Sequence, residues 1–122
     1  MSHTILVVED EVELCEMMCE ALELSGYAVL AATDGKDALS KVSGIENLCL
    51  VILDLLMPEM NGWDFVEQLR KRSEFATVPI IVHSSASGPA PATVARVLKK
   101  PIPFDRLLAV VREYCPSTTA PM

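Results

Sequence analysis

Five polar residues stand where apolar runs end: Glu9 and Asp10 after "TILVV", Asp54 after "LCLVIL", Ser84 after "VPIIVH" and Lys100 after "ARVLK". Three carboxylates, a hydroxyl and an ammonium suit phosphoryl chemistry. Crowded carboxylates repel, and their pKa values rise unless a cation joins them. An oxygen-only donor set suits Mg²⁺, which keeps several waters and takes one or two carboxylates plus a phosphate oxygen. Phosphoryl transfer needs an in-line nucleophile and charge neutralisation, roles open to Asp54 for the first and to the metal, Ser84 and Lys100 for the second. Alone, each residue has a plainer reading. Glu9 and Asp10 favour a helix dipole, Asp54 opens a turn, Ser84 sits in a loop and Lys100 is a solvated charge. Their joint order along the chain is what points to chemistry.

That chemistry requires the strand ends to share one edge, which a parallel sheet provides. Short β-branched runs alternate with helical periodicity, the pattern of a parallel sheet covered on both faces. "TILVVE" is the first strand. A helix follows with Val12, Cys15, Met18, Cys19 and Leu22 as its inner stripe, Gly26 as its stop and an Asp10-to-Glu13 capping box. "YAVLAA" is a second strand, and "DGKDALSKV" a helix entered through Asp34 and Gly35. "LCLVIL", Leu48 to Leu53, is a central strand because nothing polar interrupts it. After the loop Pro58 to Gly62, Trp63, Val66 and Leu69 share a helical face, and "VPIIVHSS" is the fourth strand. "SSASGPAPATVARVLKKP" is too rich in Pro and Gly for a regular helix. "ARVLK" is the fifth strand, and "PFDRLLAVVREY" a last helix with Phe104, Leu107, Leu108 and Val111 inward. Residues 1–115 form one domain and 116–122 a loose tail.

The 122 residues, 51% hydrophobic, suit one compact domain, and a formal charge of −7 argues against nucleic-acid or anionic-membrane partners. No apolar run is long enough to span a membrane and no signal peptide opens the chain, so the expected location is the cytoplasm. The four cysteines read as buried thiols, with Cys115 beside the tail as an exposed exception. With no CxxC pair and no nearby His set, they do not read as metal ligands. His83 should point away from Ser84 across the strand and serve packing, not phosphate donation.

The whole pattern resembles the receiver domain of bacterial two-component response regulators, carried by "ILVVEDE", "GYAVLAATDGKDAL", "VILDLLMPEMNG", "VPIIVHSSA" and "KKPIPFDRL". The resemblance implies a flavodoxin-like, doubly wound α/β fold with a five-stranded parallel sheet in the order 2-1-3-4-5. It implies that Asp54 accepts a phosphoryl group from a sensor histidine kinase or a histidine phosphotransfer protein. It further implies that Glu9, Asp10, Asp54 and the backbone carbonyl of Leu56 hold Mg²⁺, that Ser84 and Lys100 contact the phosphate, and that Lys100–Pro101 is cis. Such a domain acts on itself and is not an enzyme in the metabolic sense. A downstream protein target and a stand-alone role without DNA-binding output are expected; the alternative is a phosphorylation-independent interaction module on the same fold.

Three departures from the family pattern bear on function. Lys100 follows Ser84 by only 16 positions, so the fourth helix is short or replaced by a loop. Val97 stands where most receivers have an aromatic that swings inward on phosphorylation. Leu56 and Ala86 are apolar where family side chains influence phosphoryl loss, and neither can orient a hydrolytic water, which predicts a long-lived acyl phosphate.

Overall fold

The computed structural model describes residues 3–56, 60–85 and 90–115. Its strands are β1 (Thr4–Val8), β2 (Ala28–Ala32), β3 (Leu48–Leu53), β4 (Ile80–Ser84) and β5 (Arg96–Lys99). The sheet runs β2-β1-β3-β4-β5 with every pair parallel. Helices α1 (Val12–Leu24), α2 (Gly35–Val42), α3 (Gly62–Arg70) and α4 (Phe104–Tyr114) cover its two faces. This is the flavodoxin-like architecture expected from the sequence.

Period-two alternation in the central strands divides the core, because successive side chains leave opposite faces. Ile5, Val7, Ile52 and Ile81 meet Cys15, Met18 and Leu22 of α1 and Leu107, Val110 and Val111 of α4. Leu6, Val8, Val51, Leu53, Ile80 and Val82 meet Ala38 and Val42 of α2 and Phe65, Val66 and Leu69 of α3. Two helices start on side-chain caps: Asp34 accepts from the Asp37 N–H at 2.7 Å, and Asn61 from the Asp64 N–H at 3.0 Å. Helix α1 lacks the expected capping box. It begins behind Glu11, whose side chain makes no cap bond, and its first residue, Val12, faces solvent instead of joining the inner stripe. Gly26, at φ 98°, turns the chain out of α1 through the left-handed region.

Between β4 and β5 the described residues form turns and no helix. Arg70, at the end of α3, reaches into this region. Its guanidinium donates to the carbonyls of Phe75 and Val78, both at 2.8 Å, and to the Thr93 carbonyl at 3.0 Å. One rigid donor fork thereby ties the shortened connection to α3.

The cysteine expectation needs correction. Cys15 and Cys19 are free thiols, but Cys49 and Cys115, 66 positions apart in sequence, form a disulfide with Cα atoms 5.9 Å apart. Cys115 is buried, not exposed. A local irregularity prepares this pairing: Thr4 pairs with Leu48 and Ile5 with Leu50, so the β1–β3 ladder skips Cys49. The skipped residue puts consecutive side chains, Cys49 and Leu50, on the α1/α4 face. No spacing rule in a sequence reveals that placement.

Candidate functional site

The parallel ladder continues one residue past β1, β3 and β5 and carries the polar residues into position. The Glu9 N–H donates to the Ala32 carbonyl at 3.0 Å, the Asp54 N–H to Val8 at 3.0 Å, and the Lys100 N–H to Ser84 at 3.1 Å. The chain then turns sharply after Asp54. A Cβ on Gly62 would lie 2.6 Å from Leu55 Cα and 2.9 Å from the Asp54 carbonyl oxygen, so only glycine permits this close approach of α3. The Gly62 N–H donates to the Leu55 carbonyl at 2.9 Å and seals it.

Glu9, Asp10 and Asp54 converge, with carboxylate oxygens within 4.8 Å of one another. Glu9 is 1% exposed and Asp54 4%. Lys100 supplies the opposing charge: its Nζ lies 2.8 Å from Glu9 Oε1, 3.4 Å from Asp54 Oδ2 and 3.4 Å from Glu11 Oε1. Burial pushes the Glu9 carboxyl up, but the contacts from His83 and Lys100 and the Glu11 N–H outweigh it and hold the group down at about 2. Asp10 goes the other way, raised by burial, by its contact with Glu9 and by the charges of Glu9 and Asp54. Burial lowers the Lys100 ammonium, yet the Glu9 and Asp54 carboxylates raise it further, so it stays charged.

These residues fit a hard divalent cation. All side-chain donors are oxygens, three carboxylates crowd one spot, and Glu9 Oε1 is buried without a hydrogen bond of good geometry even though Lys100 sits beside it as an ion-pair partner. Leu56 contributes a backbone contact of its own, donating its N–H to Asp54 Oδ1 at 3.2 Å, while its side chain is half exposed. Ser84 is buried at the C-terminal end of β4, at the same sheet edge. Lys100–Pro101 is cis, as the resemblance implied. Ala86 and residues 57–59 lie outside the described residues.

Sequence reading missed two members of this cluster. His83 is buried as expected, but its Nδ1 lies 3.7 Å from Glu9 Oε1. The signal was available in strand parity: His83 shares the α1/α4 face with Ile81, and Glu9 shares that face with Val7. Glu11 donates its N–H to Glu9 Oε2 at 3.1 Å and faces Lys100, so the acidic run extends one residue beyond the expected pair.

The comparison with protein families decides the assignment: the model described as "Response regulator receiver domain" matches residues 5–112. The chain belongs to that family. Among curated relatives, the receiver is 41% identical over 87 residues to "Uncharacterized transcriptional regulatory protein YrkP" of Bacillus subtilis, covering 71% of this chain and 36% of that protein. It is 38% identical over 78 residues to the "Transcriptional regulatory protein CpxR homolog" of Haemophilus influenzae, covering 64% and 32%. The chain thus spans about a third of the length of the curated relatives it matches. Among solved structures it is similar to the chemotaxis protein CheY4 of Vibrio cholerae, with TM-score 0.86 and 28% identity over 93% of this chain and 99% of that one. It is also similar to the response regulator TrrA of Thermotoga maritima, solved in complex with Mg(2+)-BeF. The TM-score is 0.81 and the identity 30%, over 92% of this chain and 98% of that one. A receiver is a signalling domain and not a metabolic enzyme. Among the described residues, no helix is long and apolar enough to cross a membrane.

Proposed function

We propose that this receiver accepts a phosphoryl group on Asp54 from a phosphohistidine of a sensor histidine kinase or a histidine phosphotransfer protein. The observation that carries the reading is Asp54 itself, a buried carboxylate at a strand end, flanked by Glu9 and Asp10 and 3.4 Å from the Lys100 ammonium. In the transfer, an Asp54 carboxylate oxygen forms a bond to phosphorus as the donor's N–P bond breaks, and the electron pair stays with the imidazole. Bound Mg²⁺ would neutralise phosphoryl oxygens, held by Glu9, Asp10, Asp54 and the Leu56 carbonyl. Lys100 exchanges a carboxylate for a phosphoryl oxygen, and the Ser84 hydroxyl donates to another. The Leu56 N–H on Asp54 Oδ1 orients the carboxylate and leaves Oδ2, on the Lys100 side, as the attacking atom. In this reading the domain works in the cytoplasm, and its phosphorylated form is read by a downstream protein.

The test is intact mass after incubation with Mg²⁺ and a small acyl-phosphate donor. One added phosphoryl group, absent from Asp54→Asn and blocked by chelator, is the expected result. If neither the donor nor beryllofluoride engages the native chain, Asp54 is not a phosphoacceptor and the domain acts by binding alone.

A further inference from the structure

At the opposite end of the sheet lies a second cluster able to hold a metal, and its members come from three separate elements. His3 precedes β1, Cys49 is the bulged residue of β3, and Cys115 follows α4. A nitrogen of His3 and the two sulfurs lie within 4.8 Å of one another. Sequence reading excluded a cysteine metal site because no histidine stood near in the chain; the fold brings His3 to the pair. We propose that, once the Cys49–Cys115 disulfide is reduced, these three side chains bind a zinc-class divalent cation, so that oxidation and metal occupancy exclude each other.

Three observations carry the proposal. First, the donors are two sulfurs and an imidazole, the set that selects zinc over magnesium. Tetrahedral coordination with Zn–S of about 2.3 Å and Zn–N of about 2.0 Å needs donors roughly 3.5–3.8 Å apart. Reaching that spacing requires the two sulfurs, bonded to each other in the disulfide, to separate on reduction by rotation of the Cys49 and Cys115 side chains, while a His3 nitrogen already lies within 4.8 Å of them. Second, His3 and Cys115 are held by backbone contacts other than the disulfide. The His3 carbonyl accepts from the Ala28 N–H at 3.2 Å, the neighbouring Thr4 N–H donates to Asn47, and the Tyr27 hydroxyl donates to the Cys115 carbonyl at 2.5 Å. Third, the bulge at Cys49 turns its side chain toward α4, where regular alternation would have sent it to the other face. His3 and Cys49 are partly exposed, which gives a cation and a water in the fourth position a way in.

The chemistry balances with a thiol reductant. Two reductant thiols transfer two electrons and two protons to the S–S bond and leave as their own disulfide, and the cation then displaces two protons from Cys49 and Cys115. His3 binds as the neutral imidazole. The site lies six residues along β1 from Glu9, on the order of 20 Å away at the rise of a strand, so it is separate from the phosphoacceptor edge.

Cobalt(II) is the probe, because a thiolate-to-cobalt charge-transfer band reports sulfur ligation and the carboxylate cluster around Asp54 cannot produce it. The full chain is reduced, freed of reductant without air, and titrated with Co²⁺; Zn²⁺ then competes. The expected result is one equivalent with the band in the reduced chain and no band in the oxidised chain. Cys49→Ser and Cys115→Ser lose the band, and His3→Ala weakens binding at least tenfold. The Cys15→Ala/Cys19→Ala double variant should bind as the native chain does. No band in the reduced native chain overturns the proposal, as does a band lost with Cys15 and Cys19 or unchanged affinity in His3→Ala. Circular dichroism of His3→Ala, altered at a chain end outside the core, verifies that weakened binding is not unfolding.

Discussion

Lys100 holds together a cluster that would otherwise repel itself, and replacing it measures that repulsion. In Lys100→Met the hydrocarbon stem is kept while the charge 2.8 Å from Glu9 Oε1 and 3.4 Å from Asp54 Oδ2 is removed. At an effective dielectric of about 20, those two attractions are worth roughly 6 and 5 kcal/mol before solvation. Most of this is offset by the cost of taking the ammonium and carboxylates out of water. Truncating one partner of a buried pair typically leaves a deficit of about 3–5 kcal/mol. The half-solvated Asp10 and exposed Glu11 soften the site, so the lower end applies: about 3 kcal/mol, or a fall of roughly 2 M in the urea midpoint for a domain of this size. The assay is urea unfolding at neutral pH with and without Mg²⁺. Because the cation would take over the neutralising role, saturating Mg²⁺ should close more than half of the gap between variant and native chain. A loss below about 1 kcal/mol, or a gap that Mg²⁺ leaves unchanged, would refute the argument that Lys100 and the metal neutralise the same carboxylates.

Four further outcomes are expected. Glu9, held at about 2 against an ordinary 4.5, contributes stability that is present above pH 4.5 and lost as pH falls toward 2. The full contribution is about 3 kcal/mol, reduced because the raised Asp10 gains on protonation, and Glu9→Gln should give a flatter stability curve across that window; parallel curves would contradict the assignment. Arg70→Ala should cost about 2 kcal/mol by freeing the β4–β5 connection, and Arg70→Lys should not restore it, because a single ammonium cannot replace the fork; calorimetry of both variants decides. Reducing the Cys49–Cys115 disulfide, which closes 66 positions of chain, should remove about 4 kcal/mol on the loop-entropy estimate, and an unfolding midpoint indifferent to reductant would contradict it. Leu56→Asn and Ala86→Glu should speed loss of the phosphoryl group by about an order of magnitude by orienting a water, and an unchanged decay rate would remove the explanation for a long-lived acyl phosphate.

The polar residues at the strand ends were legible because each follows an unbroken apolar run, and the parallel sheet brings all such ends to one edge. Glu9, Asp10, Asp54 and Lys100 meet there, and Ser84 lies along the same edge. The sequence placed a loop from Pro58 to Gly62 after Asp54; only the structure showed Asn61 capping α3 and the missing Cβ of Gly62 letting that helix approach. Asp10 misled: its spacing to Glu13 matched a capping box, yet the helix starts one residue later and Asp10 serves the acidic cluster instead. Local pattern could not separate those uses, because an acidic residue before a helix satisfies both.

Strand parity, apolar runs and turn residues therefore determined the fold class, the edge at which the polar residues gather and which residues those are, since the patterns that reveal them are written within a few positions of chain. Only the tertiary structure decided that His83 backs Glu9, that Arg70 ties the β4–β5 connection to α3, and that Cys49, Cys115 and His3 meet. Those contacts join segments far apart in sequence, and a one-residue bulge in β3 reverses the face on which a side chain lands.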